Sequence, residues 1–155
     1  MEFKALAADL KKGIAPIYLA FGSEGLLRER AVEMIREAGK LEQLRIDTAG
    51  AEWPSISGEL FTPSFFSGRK LVLLMDEGNF VHNHREDVKA YAEAPSSSAV
   101  LVASMPSDKP PAVPESKTVK HVSCKPLLPN DQAVWLQSEF QRRGKSVDRA
   151  AIAAL

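Results

Sequence analysis

The sequence predicts a three-layer α/β domain built on a parallel sheet, followed by the start of a small helical domain. Three observations carry the prediction. The apolar runs at 17–21, 71–75 and 99–103 show no polar alternation, as strands buried on both faces do. Segments with helical spacing lie between them, the strand–helix–strand order of a parallel sheet whose right-handed crossovers place helices on both faces. After Cys124 the pattern changes: prolines at 126 and 129 bound a linker, and only helical spacing follows. Composition agrees. The chain has 155 residues, 45% apolar and 26% charged, which suits one ordinary domain or one plus a fragment and excludes disorder, collagen and low-complexity classes.

Taken in order, Phe3, Leu6, Ala7 and Leu10 form one stripe of a short helix that Gly13 ends. Pro16 opens the strand Ile17–Phe21, and Gly22-Ser23-Glu24-Gly25 is the turn. Leu27, Ala31, Met34, Ile35 and Ala38 give a helix stopped by Gly39. Gln43 to Asp47 is a second strand, and Pro54 suits the first position of a helix reaching Leu60 or Phe61. Lys70 to Met75 is a buried strand closed by Asp76-Glu77-Gly78-Asn79. Val88, Tyr91 and Ala92 share a helix face that must end before Pro95. Ala99 to Ala103 is another buried strand, the proline-rich stretch 104–116 a surface loop, and Thr118 to Ser123 a more polar last strand. Beyond the 125–129 linker, Asp131 to Arg143 is a helix with Ala133, Leu136 and Phe140 inward, and a further helix starts near Ser146 or Asp148. That helix has no stop before Leu155, so the second unit, 126–155, is expected to be cut short; the first is 1–125.

Charge and cysteine usage narrow the function classes. Twenty basic residues balance twenty acidic ones, which argues against a dedicated nucleic-acid binder. Arg142, Arg143 and Lys145 make a small basic patch that reads as a solvated helix end. The lone Cys124 forms no internal disulfide. No apolar run approaches the roughly 18 residues of a membrane span, and no apolar segment of signal type follows Met1, so a cytoplasmic location is expected.

The expected strand ends carry several short motifs. A phosphate loop needs G-x-x-x-x-G-K-[ST]; the turn 22–25 is shorter and lacks the lysine, so it reads as a tight strand–helix turn. Val72 to Glu77 has the shape of a strand that offers an acid to magnesium and a glutamate to water. Without a phosphate loop, a buried strand ending in a solvated acidic turn is the simpler reading. His82 and His84 read as part of a solvated loop, and Cys124 as a half-buried strand-end thiol. The segment Phe61-Thr62-Pro63-Ser64-Phe65-Phe66-Ser67-Gly68-Arg69-Lys70 is unusual. Pro63 and Gly68 bracket two adjacent phenylalanines that cannot share one face of an element. Chemistry alone leaves two readings open: a core plug beside Phe61, or an exposed aromatic plug for a partner's pocket.

Three stretches together resemble a known family, the delta subunits of the bacterial DNA polymerase III clamp loader: Ile17 to Glu24; Pro63 to Leu74; and Val122 to Leu127 with Ala133 to Leu136 and Arg143 to Val147. The resemblance spans nearly the whole chain. It implies a P-loop-NTPase-like (AAA+-like) domain over 1–125 that binds the sliding clamp, and the beginning of a helical lid domain over 126–155. It further implies a non-catalytic subunit that holds one interface of the ring-shaped clamp open without hydrolysing ATP, and needs no cofactor or metal. The implied partners are the sliding clamp, contacted by Ser64, Phe65, Phe66 and Ser67; the other loader subunits, through a C-terminal collar beyond this sequence; and primed DNA, indirectly or weakly. The family usually carries Leu-Phe where this chain has Phe65-Phe66. The alternative is an NTPase of the P-loop type using Asp76 and Glu77.

Overall fold

The computed structural model describes residues 1–65 and 68–144. Phe66, Ser67, Lys145 and the helix expected from Ser146 or Asp148 lie outside the described residues. The chain divides into two units, Met1–Lys125 and Pro126–Leu155.

In the first unit a 3₁₀ turn (Phe3–Ala5) leads into α1 (Leu6–Leu10), β1 (Ile17–Phe21), α2 (Gly25–Gly39), β2 (Glu42–Asp47), α3 (Trp53–Phe61) and β3 (Lys70–Met75). There follow α4 (Phe80–Asn83), α5 (Arg85–Glu93), β4 (Ala99–Met105) and β5 (Val119–Ser123). The five strands form one sheet in the order β2-β3-β4-β1-β5, and every pairing is parallel. The order follows polarity. The apolar strands β1, β3 and β4 take the centre, while β2 and β5, which carry polar residues, take the edges.

Pleating divides each central strand between two cores. Ile17, Leu19, Val72, Leu74, Leu101 and Ala103 join Ile56 and Leu60 of α3, Phe80 and Val81 of α4, and Val88 and Tyr91 of α5 in one buried cluster. Tyr18 and Ala20 alternate with these on β1, and Leu27, Ala31 and Ile35 of α2 are buried outside that cluster. Helices therefore cover both faces. Truncating one such fully buried leucine to alanine typically costs about 2–5 kcal/mol.

Some boundaries differ from the sequence reading. β4 continues to Met105 because Ser104 and Met105 stay in register with Ala20 and Phe21 of β1. The segment holding His82 and His84 is not a solvated loop. His82 lies in helix α4 and His84 follows its last residue, with its ring stacked on Phe80 at 4.0 Å. In the second unit α6 (Pro129–Arg142) starts on the proline that the sequence placed in the linker. Proline suits the first turn because its missing N–H would have no helical partner there. Ala133, Leu136 and Phe140 of α6 are partly buried.

Candidate functional site

Two places in the first unit carry unusual chemistry, one at each edge of the sheet. The carboxyl edge, where open α/β sheets hold ligands beside the switch in strand order, comes first. Here that switch lies between β1 and β4. The turn after β1 folds directly onto the chain. Gly22 N–H donates to Met105 O at 3.0 Å, Ser23 N–H to Asp108 Oδ1 at 2.8 Å, and Glu24 N–H to Cys124 O at 3.2 Å. These three amides at the strand end are spent inside the protein. Gly22 is required by the closeness of that contact. Its φ is +140°, and a Cβ there would stand 2.2 Å from the Cys124 carbonyl carbon and oxygen. Arg28 fills the crevice itself, donating from Nε to Ser104 Oγ at 3.1 Å and from its guanidinium to Gly22 O.

The acidic pair beside this crevice splits. Asp76 is buried and accepts Phe80 N–H at 2.6 Å and Val81 N–H at 2.9 Å. It caps α4, which is why the next segment is helical; the solvated acidic turn expected from the sequence holds for Glu77 and fails for Asp76. Glu77 is exposed and lines a groove of about 660 Å³ with Asn79, His82, Lys109 and the prolines at 106, 110 and 111. Among the described residues no group of three His, Cys, Asp or Glu side chains is placed to hold a metal ion. Cys124 is fully buried, not half-buried as expected, and burial pushes its thiol up to about 12. It is held as the unreactive thiol.

The second place is the loop between α3 and β3 at the amino edge. Its roots are fixed: Thr62 Oγ1 donates to Gly58 O at 2.7 Å, and Lys70 N–H to Ser98 O at 3.0 Å. The Ser64 hydroxyl donates to the Glu42 carboxylate. Phe65 is 99% exposed, so the reading that places it in the core beside Phe61 does not hold for it. Phe61 instead meets Tyr91 edge to face at 5.8 Å, with Trp53 on the same tyrosine at 6.1 Å. Between the loop and the β2 edge lies a groove of about 280 Å³ lined in part by Glu42, Leu44, Ser64, Phe65 and Lys70. Of the four residues that the resemblance assigns to partner binding, Ser64 and Phe65 are described and lie side by side here.

Sequence reasoning did not single out Asp108 or Glu42. Asp108 stands 85 positions from Ser23, and Glu42 stands 22 from Ser64, with no local pattern linking either pair.

No protein-family model matches the chain, and no curated protein sequence does. Solved structures do match. The Bacillus subtilis DNA clamp loader delta protein YqeN aligns with 97% of this chain and 50% of its own, at 17% identity and a TM-score of 0.69. The likeness is one of fold. The Thermotoga maritima RuvB Holliday junction branch migration motor aligns with 96% of this chain and 52% of its own, at 10% identity and a TM-score of 0.56. A DNA polymerase III gamma subunit-related protein of the same organism aligns with 93% and 54%, at 13% identity and a TM-score of 0.50. The chain thus spans about half the length of the structures it matches. No helix among the described residues is long and apolar enough to cross a membrane.

Proposed function

We propose that this chain is the clamp-engaging part of a clamp-loader subunit. It binds the ring-shaped DNA sliding clamp through the loop between α3 and β3 and favours the open ring over the closed one, without hydrolysing ATP. The observation that carries the reading is Phe65: an aromatic ring 99% exposed at a loop tip, on a domain with a clamp-loader-like fold. Buried aromatic anchors dominate interface energy, and a ring held out at a loop tip is available to serve as one. Phe66 is proposed as its companion in that pocket, with Ser64 and Ser67 flanking them. Only differential affinity shifts an equilibrium, so the loop would open the clamp by binding a surface better presented in the open ring. Assembly with other loader subunits would run through the longer protein, as the half-length coverage of the matched structures suggests. Any contact with primed DNA would be weak and indirect, in keeping with a net charge of zero.

The internal bonding at the carboxyl edge supports the non-hydrolytic part of the reading. Nucleotide would have to displace Asp108 from Ser23 and Arg28 from Gly22 and Ser104, and Asp76 would have to give up the cap of α4. The test has two arms. Surface-immobilised bacterial sliding clamp should capture the chain and lose it on Phe65→Ala. Fluorescent ATP with magnesium should show no saturable micromolar binding; a magnesium-dependent ATPase rate abolished by Glu77→Gln would return the NTPase alternative.

A further inference from the structure

We infer that Glu42 is a positioning residue that tethers the Phe65 loop to the edge of the sheet. The inference rests on the clamp-docking reading of that loop, and it adds a residue from a different element.

The register places Glu42 where it can act. β2 pairs with β3 so that Glu42 lies opposite Lys70, the first residue after the loop. Its side chain is therefore beside the loop's root without being near it in sequence. Ser64, the residue before Phe65, donates its hydroxyl to that carboxylate. A hydrogen bond to a charged acceptor is stronger than a neutral one. Glu42 is not needed to satisfy the buried end of β3, because Lys70 Nζ already pairs with Glu59 at 3.1 Å. Its carboxylate is left to serve the loop.

The physical consequence concerns the cost of docking. A ring that is 99% exposed gains nothing from its own fold, so its position depends on what holds the residues beside it. The roots at Thr62 and Lys70 fix the ends; Ser64–Glu42 fixes the position next to the ring. Every backbone and side-chain rotor held before contact is one that binding does not have to freeze. Glu42 lines the same groove as Phe65, so the tether lies on the side of the loop that faces the strand edge.

The test compares the intact chain with Glu42→Ala, Glu42→Gln, Ser64→Ala, Phe65→Ala and the double variant Glu42→Ala plus Phe65→Ala. Two quantities are measured: hydrogen exchange across residues 62–69, and affinity for a purified bacterial sliding clamp. Glu42→Ala and Ser64→Ala should each speed exchange in the loop and weaken clamp binding roughly five- to tenfold, with the melting temperature unchanged. Glu42→Gln should restore most of both, because its amide oxygen still accepts the Ser64 hydroxyl. In the Phe65→Ala background, Glu42→Ala should cost no further affinity, since a positioning residue acts only through the group it positions. Loop exchange at the parent rate in Glu42→Ala would overturn the inference. So would an equal affinity loss with and without Phe65, which would make Glu42 a direct contact. Faster loop exchange with full clamp affinity in Phe65→Ala would support the tether and overturn the clamp reading.

Discussion

At the carboxyl edge of the sheet the amides of Gly22, Ser23 and Glu24 all donate to the protein's own oxygens; at the amino edge Phe65 leaves nearly its whole ring in solvent. The first edge has the position of a ligand site and is filled from within, by Arg28, Asp108 and the end of β5. The second carries an open groove of about 280 Å³ and presents an apolar group outward. One edge is closed by bonds that hold the fold together, and the other is free to bond elsewhere. Substitutions at the first should therefore act on stability, and those at the second on binding.

The largest effect should come from Gly22→Ala. The added methyl meets the Cys124 carbonyl at 2.2 Å on a backbone with φ near +140°. The turn must leave β5, at a cost of roughly 3 kcal/mol or more, read by calorimetry as a melting point lower by roughly 6–12 °C. A melting point within a degree of the parent would break the claim that the turn is closed onto β5. Asp76→Ala comes next. It strips two buried N–H groups of their acceptor and should cost about 2–3 kcal/mol in urea unfolding. Unchanged stability would mean that the carboxylate does not hold the start of α4.

Phe65→Ala should invert that pattern. Stability should stay within about 0.5 kcal/mol, as for exposed surface changes. Clamp affinity should fall roughly thirtyfold, the loss of an anchor worth about 2 kcal/mol. A large melting shift with clamp affinity intact would assign the ring to the fold and erase the contrast between the edges.

The smallest effect is in pH. Burial raises the Cys124 thiol to about 12, above its value in the unfolded chain, so its neutral form stabilises the fold. That contribution is complete below about pH 8.5 and is lost as pH climbs toward 12. Stability should therefore decline above pH 9 more steeply in the parent than in Cys124→Ala. Tyr18 and Tyr91, also raised by burial, add to the decline in both chains at still higher pH. Equal slopes from pH 9 to 10 would show that the thiol is reached by solvent.

Much of the fold was legible because its signals are local. The apolar runs of β1, β3 and β4 and the proline opening α3 each act within a few residues, whereas α2 ends on the left-handed Lys40 and not on Gly39. The aromatic segment between Pro63 and Gly68 was equally visible as an anomaly, since neither helical nor strand spacing accounts for it. Its two readings could not be separated from sequence, because exposure depends on what packs around Phe65. The helix at residues 80–83 is hidden from the sequence for a related reason: its cap is Asp76, whose burial no local pattern signals.

By itself, then, the sequence determined the parallel α/β class, the central strands, the short turn after β1 and the odd loop before β3. Each follows from side-chain polarity and backbone preference over a few neighbouring positions. Tertiary structure decided the strand order, with β1 inserted between β4 and β5, and hence which groups meet at the edges. Only that order brings Asp108 to Ser23, Cys124 to Gly22 and Glu42 to Ser64. Those pairs are joined by register and chain crossing, which no local pattern encodes.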